Sequence, residues 1–288
     1  MNHVNAWSIA GSDGEPIIGN CHMPAGISGG PLGVILIAHG FKGYKDYGMF
    51  PRIAQSMAGA GFIAHRFNFS HSGMTNNLET FERPDLFEKD TWNRQVFDYR
   101  AVIDAVANGN LEGAGMKYVM FGHSRGGVTA LLTAGRFAND SSMVQPAGVV
   151  TASAPSQCNN LTPELTEQMK REGYLVSPSS RTGQDLRIGK NYLTQMEEDP
   201  ARHDLLGMVR KFTCPLMIFH GEKDPTVPID CATQISIEAG KKALLIAIEA
   251  ADHVFNTPNP LPADQTTSPQ LQTLLDRMAE FAANCVSC

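Results

Sequence analysis

Short apolar, β-branched runs alternate along the chain with longer segments in which apolar positions recur every three or four residues. This is the pattern of βαβ units built on a largely parallel sheet. The runs place strands at 5–10, 15–22, 33–38, 62–67, 117–122, 147–152, 215–220 and 243–249. Two of them, "LGVILIAHG" and "CPLMIFHG", are apolar almost throughout, which predicts mid-sheet strands covered by helices on both faces. Helical spacing falls at 48–60, 91–108, 125–138, 230–239 and 269–284, with Asp230 standing where an N-cap would. The first two strands, joined by "SDGE", predict an antiparallel hairpin at the sheet edge with Asp13-Gly14 in its turn. The expected fold class is α/β: eight strands, mostly parallel, with helices on both faces.

Residues 154–212 break the alternation. They are polar, carry helical pieces near 163–172 and 191–198, and show no convincing central strand. An insertion of this length in a compact α/β domain predicts a lid or cap. It holds too little apolar material for a core of its own, so residues 1–288 are expected to form one domain.

Composition narrows the function. A 288-residue chain with 42% hydrophobic residues can bury a sizeable core. Its net charge of -6, without a Lys/Arg cluster, argues against a nucleic acid or an anionic membrane as partner. The N-terminus "MNHVNAWSIAGSDGEP" lacks a basic and then apolar leader, and no run approaches the ~18 apolar residues of a membrane span. A soluble cytoplasmic protein is expected. Cys21, Cys158, Cys214, Cys231, Cys285 and Cys288 are scattered, which predicts reduced thiols and not a disulfide framework. The Cys285-Val-Ser-Cys288 spacing has no second Cys/His pair near it, and no H-x-x-H occurs, so neither a metal nor a cofactor is expected.

The pattern G-x-S-x-G occurs twice, around Ser28 and around Ser124. A nucleophilic serine needs a strand upstream, a helix downstream and small residues on either side of a tight turn. Ser124 has "KYVMF" before it and "GGVTALLTAGRF" after it, whereas Ser28 lies in a loop between Pro24 and Pro31. Ser124 is the candidate nucleophile. A serine hydroxyl also needs a base, and the base needs a carboxylate to orient it. His253, in "LLIAIEAADHVFNTP", follows the last strand, and Asp224, in "LMIFHGEKDPTVP", follows the strand before it. Glu222 and Asp252 are the rival acids.

The order Ser124, Asp224, His253 and the segments "IAHGFKG", "GHSRGG", "FHGEKDPTVP" and "ADHVF" resemble the α/β-hydrolase superfamily over roughly residues 15–284. Within it the chain looks like the serine esterase branch that includes cinnamoyl and feruloyl esterases, and like the related S33 aminopeptidase-like hydrolases. The resemblance implies an oxyanion hole made by the backbone N–H groups of Phe41 and Arg125. It implies no substrate, because the 154–212 segment aligns poorly.

The remaining polar residues carry less. His39 is either loop-shaping or simply packed; His65, His71, His123, His203 and His220 are expected to be scaffold residues. Asn68, Ser70, His71 and Ser72 form a polar turn ended by Gly73 that has hydrogen-bonding groups for a substrate. Arg181, Arg187 and Lys190 either attract an anionic substrate or make a solvated face. The expected activity is hydrolysis of a small carboxylic ester through an acyl-enzyme. The alternatives are an amide-cleaving serine peptidase, which would need carboxylates such as Glu164, Glu167 or Glu172 to hold an α-ammonium, and a hydrolase-fold binding protein without catalysis. The sequence leaves the oligomeric state open.

Overall fold

The computed structural model describes residues 3–26 and 29–287. Among these residues ten strands follow one another: β1 Val4–Ala10, β2 Pro16–His22, β3 Val34–Ala38, β4 Ile63–Asn68, β5 Tyr118–His123, β6 Gly148–Ala152, β7 Tyr174–Pro178, β8 Asp185–Gly189, β9 Leu216–Gly221 and β10 Ala243–Ile248. Eight of them form one sheet in the order β1-β2-β4-β3-β5-β6-β9-β10, and β7 and β8 pair separately. From β4 to β10 every pairing in the large sheet is parallel; β1–β2 and β2–β4 are antiparallel. All eight predicted strands are present. Of the two expected mid-sheet, β3 lies there, but β9 is next to the edge, screened by β10 alone. Its apolar run reflects cover on both faces, which a penultimate strand can also have.

The helices are α1 Phe50–Gly59, α2 Pro84–Lys89, α3 Trp92–Ala107, α4 Arg125–Arg136, α5 Pro163–Glu172, α6 Asn191–Glu198, α7 Pro200–His203, α8 Leu205–Lys211, α9 Asp230–Ala239 and α10 Pro269–Ser287. Side chains alternate along the strands, so the central strands feed two cores. Leu36 and Ala38 of β3 and Met120 of β5 pack with Tyr99 and Val102 of α3 and Val128 and Leu131 of α4. Ile35, Ile37 and Phe121 point the other way, onto Phe50, Ile53 and Met57 of α1 and Leu271, Leu274, Leu275 and Met278 of α10. The helices thus cover both faces. Tyr99 crosses its core to donate to the carbonyls of Leu36 and Phe121 at 2.9 and 3.2 Å.

The β1–β2 turn is built as expected, with Asp13 and Gly14 at φ 57° and 77°. Asp230 is not an N-cap: it is the first residue of α9, the preceding Ile229 already has helical φ, and no side chain caps this end. The acid still suits the positive end of the helix.

Residues 154–212 contain α5, the β7–β8 hairpin, α6, α7 and α8. The helices at 163–172 and 191–198 match expectation, whereas the hairpin was not foreseen. A small third core of Tyr44, Met74, Phe81, Phe87 and Leu186 seats it, and Gln184 clamps the Phe81 backbone, accepting from its N–H at 2.8 Å and donating to its carbonyl at 3.0 Å. Farther on, α8 packs so closely on α4 that a Cβ at Gly135 would lie 2.5 Å from the Met208 Cβ and carbonyl oxygen. Among the described residues, no helix is long and apolar enough to cross a membrane.

Candidate active site

The parallel strands β3, β5, β9 and β10 end on the same edge of the sheet. The loops that leave their carboxyl ends carry His39-Gly40-Phe41, Ser124, Asp224 and His253. Four segments distant in sequence therefore meet there.

Ser124 occupies the turn between β5 and α4 at φ 52° and ψ -120°, a backbone conformation that costs a non-glycine residue about 1–3 kcal/mol. Its amide donates to the Ala152 carbonyl at 2.8 Å. The flanking glycines are required by space: a Cβ at Gly122 would lie 2.1 Å from the Gly126 carbonyl oxygen, and one at Gly126 would lie 2.4 Å from that of His39. Both obstacles are backbone, which cannot rotate away. Ser28, the other serine in the same pattern, lies outside the described residues.

His253 Nδ1 is 2.8 Å from Asp224 Oδ2. A carboxylate at Nδ1 keeps the ring proton there and leaves Nε2 as the basic nitrogen. The Asp224 side chain is buried, and its Oδ1 accepts from the Thr226 and Val227 amides at 2.8 and 2.9 Å. Burial pushes its carboxyl upward, but the hydrogen bonds from His253 and from these amides outweigh it and hold the group below its ordinary value. The rival acids are elsewhere: Glu222 is exposed, and Asp252 Oδ1 is engaged by the Val254 and Asn256 amides of its own loop.

Two neighbouring histidines hold this pair in place. His123 Nε2 donates to the His253 carbonyl at 2.8 Å, with the two rings 4.8 Å apart, and burial pulls the His123 imidazole down to about 3. His220 Nε2 donates to the Val227 carbonyl at 2.8 Å, beneath the Asp224 turn. Both are neutral struts at ordinary pH.

Arg125 opens α4, so its amide has no carbonyl one turn earlier to meet it; the Gly127 and Val128 amides return to the Ser124 carbonyl at 2.9 and 3.2 Å. The Phe41 amide belongs to the Gly40–Phe41 peptide, whose carbonyl contacts His39 Nδ1 at 2.8 Å and accepts from the Gly43 amide at 3.0 Å. Because a peptide unit is planar and trans, fixing that carbonyl fixes the opposite direction of the Phe41 N–H. His39 Nε2 accepts from the Phe69 amide at 3.3 Å, which sets the ring tautomer. His39 is therefore loop-shaping, and burial holds its imidazole down near 4.

Two cavities meet at Ser124, and Phe41 lines both. The smaller, about 190 Å³, is walled by His253, Tyr47, Lys42 and the hairpin tip Ser179, Ser180 and Arg181. The larger, about 430 Å³, is walled by Trp92, Leu161, Ile188, Tyr192 and Val227, with Arg125 at its side. The Arg125 guanidinium is stacked 4.6 Å from the Trp92 ring and 5.2 Å from the Tyr192 ring and is paired with the buried Asp90 at 3.2 Å. Among the described residues, neither wall contains a carboxylate. The sequence pointed to Arg181 but not to Lys42, two residues from Gly40, nor to Trp92 and Tyr192, which reach the site from helix starts far away in the chain.

The other polar candidates have structural partners. Asn68 Oδ1 accepts from the Lys45 amide at 2.6 Å, and Ser70 donates to Asp98 at 2.8 Å. His71 lies 3.5 Å from Asp13, His65 donates to the Glu112 carbonyl and His203 to that of Asp199. Arg187 stacks on Tyr174 at 4.2 Å, and Lys190 is exposed. Cys21, Cys158, Cys214 and Cys231 are free thiols; Cys288, the end of the C-x-x-C spacing, lies outside the described residues.

A family model described as serine aminopeptidase, S33 matches residues 29–206. No curated protein matches the chain in sequence. Among solved structures, Est1E from Butyrivibrio proteoclasticus with ferulic acid bound superposes with a TM-score of 0.70 at 18% identity, covering 98% of this chain and 100% of that one. A putative hydrolase from Agrobacterium vitis S4 gives 0.70 at 20% identity over 99% of each chain. The esterase domain of a Rhodothermus marinus protein gives 0.64 at 20% identity over 98% of each. With its sheet, its strand-end loops and a family match over more than half its length, the chain belongs to the serine aminopeptidase S33 family and is a serine hydrolase of the α/β-hydrolase fold.

Proposed function

We propose that this chain hydrolyses carboxylic esters of small molecules through an acyl-enzyme on Ser124. The observation that carries the reading is the Asp224–His253 hydrogen bond on a cavity wall shared with the strained Ser124. His253 Nε2 takes the Ser124 proton as Oγ forms its bond to the ester carbonyl carbon. The resulting oxyanion is held by the Phe41 and Arg125 amides, each worth about 3 to 4 kcal/mol in the transition state. Collapse breaks the bond to the alcohol oxygen, which receives the proton from His253. Water then attacks the acyl-enzyme, again with His253 as base, releasing the acid and restoring Ser124. No cofactor takes part, and residues 154–212 act as the cap that shapes the substrate's surroundings.

The family description makes aminopeptidase activity the second reading. An aminopeptidase must neutralise the substrate's α-ammonium, and among the described residues no carboxylate lines either cavity. Glu164 is exposed on α5, Glu167 faces solvent near Lys170, and Glu172 is tied to Arg171 and Gln168. This favours the ester. A non-catalytic binding protein would have no use for the strain at Ser124.

Turnover of p-nitrophenyl butyrate and of a matched aminoacyl p-nitroanilide decides between these readings. The ester is expected to be cleaved with labelling of Ser124 by a fluorophosphonate, and Ser124→Ala is expected to abolish both. Faster cleavage of the anilide would transfer the proposal to peptidase chemistry; an active Ser124→Ala variant would overturn it.

A further inference from the structure

The two cavities at Ser124 differ in charge as well as size. Lys42 and Arg181 both line the smaller one, and neither has a carboxylate within ion-pair distance among the described residues. They are nonetheless held in place. Lys42 Nζ donates to the Pro178 carbonyl at 2.6 Å. The Arg181 guanidinium donates to the Leu78 carbonyl and lies 4.8 Å from the Tyr44 ring and 5.2 Å from the Phe81 ring. Carbonyls and aromatic faces position a cation without cancelling its charge. Other cations are paired with carboxylates: Arg66 and Lys45 share Asp46, Arg100 meets Asp104 and Asp140, and the buried Arg125 has Asp90; Arg136 and Lys242 are held by carbonyls as Lys42 and Arg181 are, but they line neither cavity. The site thus keeps two fixed, uncompensated positive charges beside Tyr47, Ser179 and Ser180, whose hydroxyls can also donate.

Chemistry says which half of the substrate meets them. The imidazole that deprotonates Ser124 must next protonate the departing alcohol oxygen, so the alcohol lies on the side that His253 lines. That is the cationic cavity, and His253 is not part of the apolar one. The acyl group is left the 430 Å³ space among Trp92, Leu161, Ile188, Tyr192 and Val227.

We infer that the chain selects esters whose leaving alcohol carries an anionic oxygen group, carboxylate or phosphate, bound by Lys42 and Arg181, with an apolar acyl group in the larger cavity. This rests on the ester reading above. The test compares 3-phenylpropanoyl esters of 4-hydroxybenzoate, 4-hydroxyphenyl phosphate and the neutral 4-hydroxybenzamide. At least one anionic ester is expected to exceed the amide-bearing one in kcat/KM by about tenfold, mainly through KM, the scale of one charge-assisted hydrogen bond. Lys42→Gln and Arg181→Gln should each draw that ratio toward one, while Arg187→Gln, on the same hairpin but stacked on Tyr174, should retain it. The better of the two anionic esters identifies the group.

A ratio at or below one for both anions, or a tenfold ratio that survives both substitutions, overturns the inference. So does a comparable gain when the carboxylate is moved to the acyl side as a hemisuccinate of a neutral phenol. Each of these results leaves the ester reading intact if Ser124 is labelled and the neutral ester is cleaved. Failure of every ester, with Ser124 unlabelled, overturns the ester reading and this inference with it.

Discussion

The peptide between Gly40 and Phe41 shows how one side chain can aim a group it does not touch. His39 contacts the Gly40 oxygen, and planarity carries that constraint to the Phe41 N–H on the other side. His39→Ala is expected to lower kcat about tenfold to a hundredfold with little change in KM, because an oxyanion donor acts mainly in the transition state; a change confined to KM would contradict this role. Asp224→Asn leaves the shape intact but exchanges an acceptor for a donor facing His253 Nδ1, so kcat should fall about 10⁴-fold. Gly126→Ala tests the turn itself. Its Cβ would meet the His39 carbonyl at 2.4 Å, and a loss of about 3 kcal/mol or more in urea unfolding is expected. Wild-type stability in that variant would show that the turn has slack.

Among the elements, the strands of the main sheet were legible because each is a compact run rich in apolar residues, buried on both faces or at an edge of the sheet, between polar punctuation. The candidate residues Ser124, Asp224 and His253 stand out in the sequence for a related reason: each follows such a run within a few residues. The β7–β8 hairpin was not. "YLVSP" and "DLRIG" are short and half polar; Val176 is exposed, and Leu186 and Ile188 join a small satellite core whose other members, among them Tyr44, Phe81 and the α2 residue Phe87, are distant in sequence. The short α2 and α8 escaped notice because one or two helical turns carry too little periodicity to register. What the hairpin does depends on how firmly it is seated. Gln184→Ala removes two hydrogen bonds to Phe81, and faster hydrogen exchange at residues 179–184 with a raised KM for esters is expected. Unchanged exchange would mean that the apolar contacts alone hold the tip.

The whole molecule carries a set of buried, neutral imidazoles that sets its acid limit. Burial draws His22, His39 and His65 down to about 4 and His123 to about 3; unfolded, each returns to about 6.5. Below pH 6.5 the unfolded chain therefore binds protons that the folded chain refuses, and stability falls until the pH reaches the folded values. Asp224 acts in a lower window: held below its ordinary value, it favours the folded state above about pH 3.9 and loses that effect only as pH falls further. Thermal unfolding should thus shift down by several degrees between pH 7.5 and pH 5, with net proton uptake on unfolding at pH 5, offset in part by the proton that Asp98 releases, since burial holds its carboxyl up at about 7 in the folded chain. A flat melting temperature over that range would refute the assignment. The conformation of Ser124 bears on cooperativity in another way. It is held by Ala152 at the end of β6, by the carbonyls that follow β3 and by the first turn of α4, so no fragment of the sheet can hold it. In a denaturant titration, catalytic activity becomes a probe of complete sheet assembly, vanishing in step with near-ultraviolet ellipticity and never outlasting it.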